Sequence, residues 1–257
     1  MKLIIIIFIL ILFSILSQNK SKETKKIKLK NEKIKQRNEK KNKLNNFNNL
    51  RSLHLLELQL NFNQKKVLDI GSINGNFSKI ISKLNGNVTL STPNQKIYNK
   101  LNKNYKIIKL DIENENNFKD LEHFDYILCY DVLEHIQDPL KAIKNMASKT
   151  ETIIIESSFS NFYNNNILNI KNEISINTSD TGIASRFSRD TLYKVLNNHF
   201  DYIYSVKKLP EHFSYQKNWD EISYKNNLTQ KGRDILIASK KNISNINLNF
   251  GLIKNHN

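Results

Sequence analysis

Two kinds of apolar pattern divide this chain. The first is one continuous run, Leu3 to Leu16, interrupted only by Ser14. The second begins near Leu50 and consists of short apolar runs separated by polar turns. Between them, Ser21 to Asn49 carries only Ile27, Leu29, Ile34, Leu44 and Phe47 as apolar breaks, at no period that would build a core face. In the second region, Leu53, Leu55, Leu56, Leu58 and Leu60 predict a helix. Strands are expected at Lys66–Ile70, Asn87–Leu90, Tyr105–Leu110, Phe124–Cys129, Thr152–Ile155, Tyr202–Val206 and Ile235–Ala238. Helices fall between them: after Gly75, from a Thr92 cap with Pro93 at the first helical position, over Asp138–Met146, and over Ser188–Asn197 with Ser188 as cap. Strands alternating with helices of this length predict an α/β sandwich whose mainly parallel sheet is covered on both faces. Phe159 to Ser185 has no period and reads as an insertion or lid. The Asn-rich residues after Lys240 add little.

The domain plan that follows is a hydrophobic anchor or signal segment over 1–18, a lysine-rich linker over 19–49, one domain over 50–240 and a tail over 241–257. A chain of 257 residues supports one such core rather than two. The net charge of +16 is uneven, because Lys20 to Lys43 holds twelve Lys/Arg against three Glu. Two readings of the N-terminus stay open. One is a single-pass anchor holding the domain on the cytoplasmic side of a membrane, favoured by the charge that follows the run. The other is a cleaved signal and secretion, for which Ser14 to Ser17 is a poor cleavage site. Nucleic acid is not expected as a partner, since no aromatic residue is interleaved with the lysines before Phe47. The single cysteine, Cys129, excludes an internal disulfide and a cysteine-only metal site.

The candidate chemistry starts at KVLDIGSINGNFS, Lys66 to Ser78. A buried strand runs into a turn bracketed by Gly71 and Gly75, and a helix begins at once. Glycines let such a backbone turn sharply and approach a ligand. The spacing is not the three-glycine dinucleotide fingerprint, and without Gly-Lys-Ser/Thr it is not a phosphate loop.

Together with Asp111 and the block FDYILCYDVLEHIQDPLKAIKNM (Phe124 to Met146), this stretch resembles class I S-adenosylmethionine-dependent methyltransferases. The likeness is to the small-molecule type with a VLEH motif, here Val132 to His135 followed by Asp138-Pro139. FSRDTLYKVLNNHF and GRDILIASK extend the resemblance to Lys240. It implies a Rossmann-like three-layer sandwich with a seven-stranded sheet of order 3-2-1-4-5-7-6, the last strand antiparallel. It also implies S-adenosylmethionine as cofactor, held by Asp69, Gly71, Ser72 and Gly75 around its amino-acid half. Asp111 and Ile112 would lie near the adenine, with Tyr130 and Asp131 where cofactor meets acceptor. His135 beside Glu134 is the candidate base, and a capping or packing role is its alternative. The acceptor implied is a small molecule, lipid or glycan, methylated on oxygen.

The chain departs from this family at two places. Ile73 stands where the loop usually has glycine. No acid occurs from Ser82 to Tyr105, where the second strand's end usually contacts the ribose, and Ser91 is the nearest substitute. A degenerate binding module therefore remains an alternative. An RNA methyltransferase is a further one, although no Asn/Asp-Pro-Pro-Tyr-like signature follows the fourth strand. His54, His123, His199, His212 and His256 show no ligand spacing, so no metal is expected. Trp219, Tyr215, Phe213 and Tyr224 line an acceptor pocket or pack under a hairpin. Arg186 and Arg189 are candidates for holding an anionic acceptor, with Arg189 otherwise a solvated residue of its helix's first turn.

Overall fold

The computed structural model describes residues 47–73, 75–160, 168–171, 183–219 and 231–256. One compact unit spans Asn49–Asn257. Helix α1 covers residues 47–57. The elements that follow are β1 (Lys66–Ile70), α2 (Asn76–Lys83), β2 (Asn87–Ser91), α3 (Gln95–Lys100), β3 (Lys106–Ile108), α4 (Asn116–Lys119) and β4 (Phe124–Tyr130). A 3-10 turn over Leu133–His135 leads to α5 (Pro139–Ala147), β5 (Thr150–Ser160), β6 (Leu168–Lys171), β7 (Ile183–Arg186), α6 (Arg189–Asn197), β8 (Tyr202–Val206), β9 (Lys231–Ser239) and β10 (Leu248–Phe250). The main sheet runs β3-β2-β1-β4-β5-β9-β8-β10. Its first five strands are parallel, and β9 is antiparallel to both β5 and β8. With the β6–β7 hairpin set aside, this is the expected order 3-2-1-4-5-7-6 plus one further strand.

Alternation along the strands builds two cores. Leu68 and Ile70 of β1, Ile127 and Cys129 of β4, Ile153 and Ile155 of β5, and Leu236 and Ala238 of β9 pack with α5 and α6. Their neighbours Val67, Leu128, Ile154, Ile235 and Ile237 are equally buried, and alternation turns them to the opposite face. Caps fix where the helices begin. Asp138 accepts from the Lys141 N–H at 3.0 Å with Pro139 at the first helical position, and Ser188 accepts from the Thr191 N–H at 3.1 Å.

Several expectations change. The cap of α3 is Asn94, not Thr92, because its amide oxygen accepts from both Lys96 and Ile97 N–H groups. The segment after Lys240 supplies β10, which pairs antiparallel with β8. Part of the stretch read as a patternless insertion, Phe159 to Ser185, forms β6 and pairs with β7. The membrane expectation fails, both as an anchor and as a partner or location inferred from it. Among the described residues no helix is long and apolar enough to cross a membrane. The run Leu3 to Leu16 lies outside the described residues. Secretion after signal cleavage, its alternative, gains no support either.

Candidate active site

At the carboxyl ends of β1 and β4 the chain makes two sharp turns side by side. After β1, Gly71 and Gly75 both hold left-handed backbone, with φ of 67° and 62°. A Cβ on Gly71 would stand 2.7 Å from Val132 Cγ2, so glycine is needed there for the two turns to meet. Gly75 faces the other way: nothing described lies within 4 Å of where its Cβ would be, which leaves an open cradle at the start of α2. After β4, Asp131 also adopts left-handed backbone, φ 60°, an uncommon conformation for a residue with a side chain. Its N–H is tied to the Glu156 carbonyl at 3.0 Å.

The predicted loop residues divide into a buried support and an open rim. Asp69 is buried; Ser78 donates to it at 2.8 Å, and Ser91 donates to its backbone carbonyl at 3.2 Å. Burial pushes the Asp69 carboxyl up to about 6, against the pull of hydrogen bonds from Ser78 and Ser72 and the charge of Arg51. Ser72 is buried and its N–H donates to the Ser91 carbonyl. Ser91 therefore turns its hydroxyl back toward β1. Asp111 is exposed and folds onto its own turn, accepting from the Glu113 N–H at 3.0 Å. Ile112 packs in the core, with its carbonyl accepting from Asn145. Ile73, which stands where the loop usually has glycine, is 55 % exposed. Tyr130 ends β4 with its ring 4.3 Å from that of Phe77, and its buried hydroxyl has no hydrogen-bond partner among the described residues.

Beside the rim lies a charged cluster that the sequence pattern showed only in part. Asp131, Glu134 and His135 come together after β4, with His135 Nε2 3.5 Å from Glu134 Oε1 and 3.8 Å from Asp131 Oδ1. Arg233 of β9 donates to Asp131 and Glu134 through Nη2, and to Glu156 through Nη1 at 2.7 Å. Arg51 of α1 donates to Glu156 from the other side and lies 3.7 Å from Asp131. Its guanidinium carbon sits 5.6 Å from the Tyr130 ring centre and 5.8 Å from that of Phe77. Tyr215 donates to Glu156 at 3.3 Å, and the Ser158 N–H to the second oxygen of Glu134 at 2.8 Å.

Placement sets the charge states. Burial favours neutral Asp131, yet the His135 hydrogen bond and Arg233 hold its carboxyl well below the usual range. Burial raises Glu134, and the hydrogen bond to Asp131 raises it further. Two coupled carboxylates in one place titrate apart in this way. Burial also works against the charge on Arg51 and Arg233, and the acids beside them outweigh it. The potential ligand atoms of Asp131, Glu134 and His135 lie within 4.8 Å of one another, a grouping that spacing alone did not bring out.

Arg51, Glu156 and Arg233 were missed. Arg51 sits in a leucine-rich helix start and was passed over for its leucines. Glu156 and Arg233 did leave a signal: each is a charge inside an apolar run, IIIESSF and GRDILIA, on a strand covered on both faces. Arg189 reverses its expected role. It is buried, with Nε 2.6 Å from Asp234 as an ion pair and its guanidinium 4.5 Å from the Trp219 ring centre. Of the aromatic group, Tyr215 and Trp219 are packed inward and Phe213 is 93 % exposed. Tyr224 lies outside the described residues, and so does the side chain of Arg186.

A family model described as a methyltransferase domain matches residues 42–206. Over 105 residues the chain is 31% identical to the ubiquinone biosynthesis O-methyltransferase of Coxiella burnetii, covering 37% of this chain and 43% of that protein. The chain thus spans less than half the length of the curated relatives it matches. The solved N-terminal domain of EvdMO1 with SAH bound aligns at a TM-score of 0.59 and 13% identity, over 76% of this chain and 81% of that one. A SAM-dependent methyltransferase from Archaeoglobus fulgidus aligns at 0.53 and 15% identity, over 75% and 94%. Likeness at these identities bears on the fold.

Proposed function

The chain belongs to the methyltransferase-domain family, and from that premise we propose that it transfers a methyl group from S-adenosylmethionine to an oxygen of a small-molecule acceptor. One observation carries the reading: the open cradle at Gly75 adjoins a site where the buried Tyr130 hydroxyl has no hydrogen-bond partner among the described residues. An orphaned buried hydroxyl costs stability unless a ligand satisfies it. The residues around it suit this donor. Arg51 brings a cation for a carboxylate. Asp131 is an acid for the ammonium end, and the faces of Phe77 and Tyr130 suit a sulfonium.

When bound, the donor supplies a methyl group on a positively charged sulfur, and the acceptor oxygen must lose a proton as it attacks. His135 is placed to take that proton. The imidazolium so formed would be flanked by Asp131 and Glu134 within 3.8 Å, which stabilises the charge as it develops. Ser91 is turned into the sheet, so the second strand offers no side-chain acceptor of its own to the ribose, and donor grip falls to the Gly71–Tyr130 side. That shift of grip, rather than lost chemistry, accounts for the unusual second-strand end, and the charged cluster is what a degenerate module would have no use for.

Calorimetric titration with S-adenosylmethionine and its demethylated product tests this directly. Micromolar binding of both is expected; no heat at millimolar donor would end the proposal. A panel of hydroxylated, amino and thiol acceptors with labelled donor then reads the acceptor atom, and label on nitrogen alone would overturn the oxygen assignment.

A further inference from the structure

We propose that the guanidinium of Arg233 is the resident cation of the Asp131–Glu134–His135 cluster, standing where such a ligand set would otherwise take a divalent metal ion. Two carboxylates and an imidazole within 4.8 Å form a hard, metal-ready set. What fills it is a side chain. Arg233 reaches Asp131 and Glu134 with one nitrogen and Glu156 with the other, bridging β5 and the turn between β4 and α5. Planar, always charged and forked, a guanidinium matches several carboxylates at once, which lysine's point charge does not.

The surroundings fit an internal cation. Among the described residues, Asp131, Glu134 and Glu156 face Arg51 and Arg233. Adding a divalent ion would force it against the guanidinium of Arg233, whose side chain is only 13% exposed. The second oxygen of Glu134 is already committed to the Ser158 N–H. Arg233 is thus a positioning residue: it fixes the acids that flank His135, and methyl transfer proceeds without added metal. The functional half of this rests on the methyltransferase reading; the cation assignment does not.

Manganese titration of the full chain, followed by electron paramagnetic resonance, separates the two. The wild type and Arg233→Lys are expected to take up no stoichiometric Mn2+ at millimolar concentration. Arg233→Met should bind one Mn2+ per chain at least tenfold more tightly, and lose it when Glu134→Gln is added. Wild-type turnover should be unchanged by chelator. Stoichiometric Mn2+ on the wild type that Glu134→Gln removes overturns the proposal, as does chelator-sensitive turnover, or a folded Arg233→Met that takes no Mn2+. If Arg233→Met does not fold, the wild-type and Arg233→Lys arms decide alone. Failure of donor binding in the same wild-type sample would count against the methyltransferase reading and leave the cation assignment standing.

Discussion

Arg233 and Asp234 are neighbours on β9, yet they serve two charged clusters with opposite characters. Arg233 meets three acids at the edge of the cradle, where Asp131 is still 34% exposed. Asp234 faces the other side of the strand, fully buried, between Arg189 and His256. There His256 Nε2 lies 3.4 Å from Asp234, its Nδ1 2.8 Å from the Val206 carbonyl, and Arg189 donates to the Ile253 carbonyl at 2.8 Å. That sealed group straps residues 251–256 to the sheet. The edge cluster has two acids shifted in opposite directions and left-handed backbone beside an open cradle; the sealed cluster matches one acid to one arginine. Burial of charge by itself therefore does not mark a site. Unequal charge and open volume next to it do.

The contrast can be broken most forcefully at Asp234. Asp234→Ala leaves the Arg189 cation buried without its acid and should cost about 3–5 kcal/mol in urea unfolding, with donor affinity in the surviving folded fraction unchanged. His135→Ala should do the reverse. Turnover in the acceptor panel is expected to fall about 10²- to 10⁴-fold while unfolding and donor Kd hold steady; unchanged turnover would return His135 to a packing role.

A pH measurement probes the support beneath the cradle. Asp69 carries its proton up to about 6 when folded and only to about 3.8 when unfolded. Its contribution is therefore complete below about pH 3.8 and is lost as pH rises through about 6, a change of about 3 kcal/mol. The wild-type-minus-Asp69→Asn difference in unfolding free energy should therefore fall by about that amount as pH rises across the window, because asparagine does not titrate. A difference that instead grew more favourable to the wild type with rising pH would mean an ionised, well-solvated Asp69.

The smallest effect sharpens the comparison most. Tyr130→Phe removes a hydroxyl with no partner among the described residues, so unfolding free energy should not fall, whereas donor Kd should weaken by up to about tenfold. Equal losses in both would place the hydroxyl's partner within the protein.

These particulars also explain what could be read in advance. Strands β1, β4 and β5 were legible because each is a largely buried apolar run, and the glycine turn because its two left-handed positions favour glycine. Asp131, Glu134 and His135 were legible as a contiguous motif. Arg51 and Arg233 were not, because they reach the same few ångströms from positions 182 residues apart, and no local period encodes a meeting set by strand order. Asn94 displaced Thr92 as cap because two cap-competent side chains, one on each side of Pro93, compete, and only geometry chooses between them. The anchor was inferred from composition alone, in a stretch that lies outside the described residues.

The antiparallel entry of β9 between β5 and β8 has one more consequence. The ribosome makes that strand after every parallel strand it completes, so a nascent chain can lay down the cradle long before the guanidinium reaches its acids. Until then, among the described residues, Asp131, Glu134 and Glu156 have Arg51 and His135 but not Arg233 beside them. Chemical competence would thus be withheld during translation and conferred late, by a strand sliding into the one gap left for it.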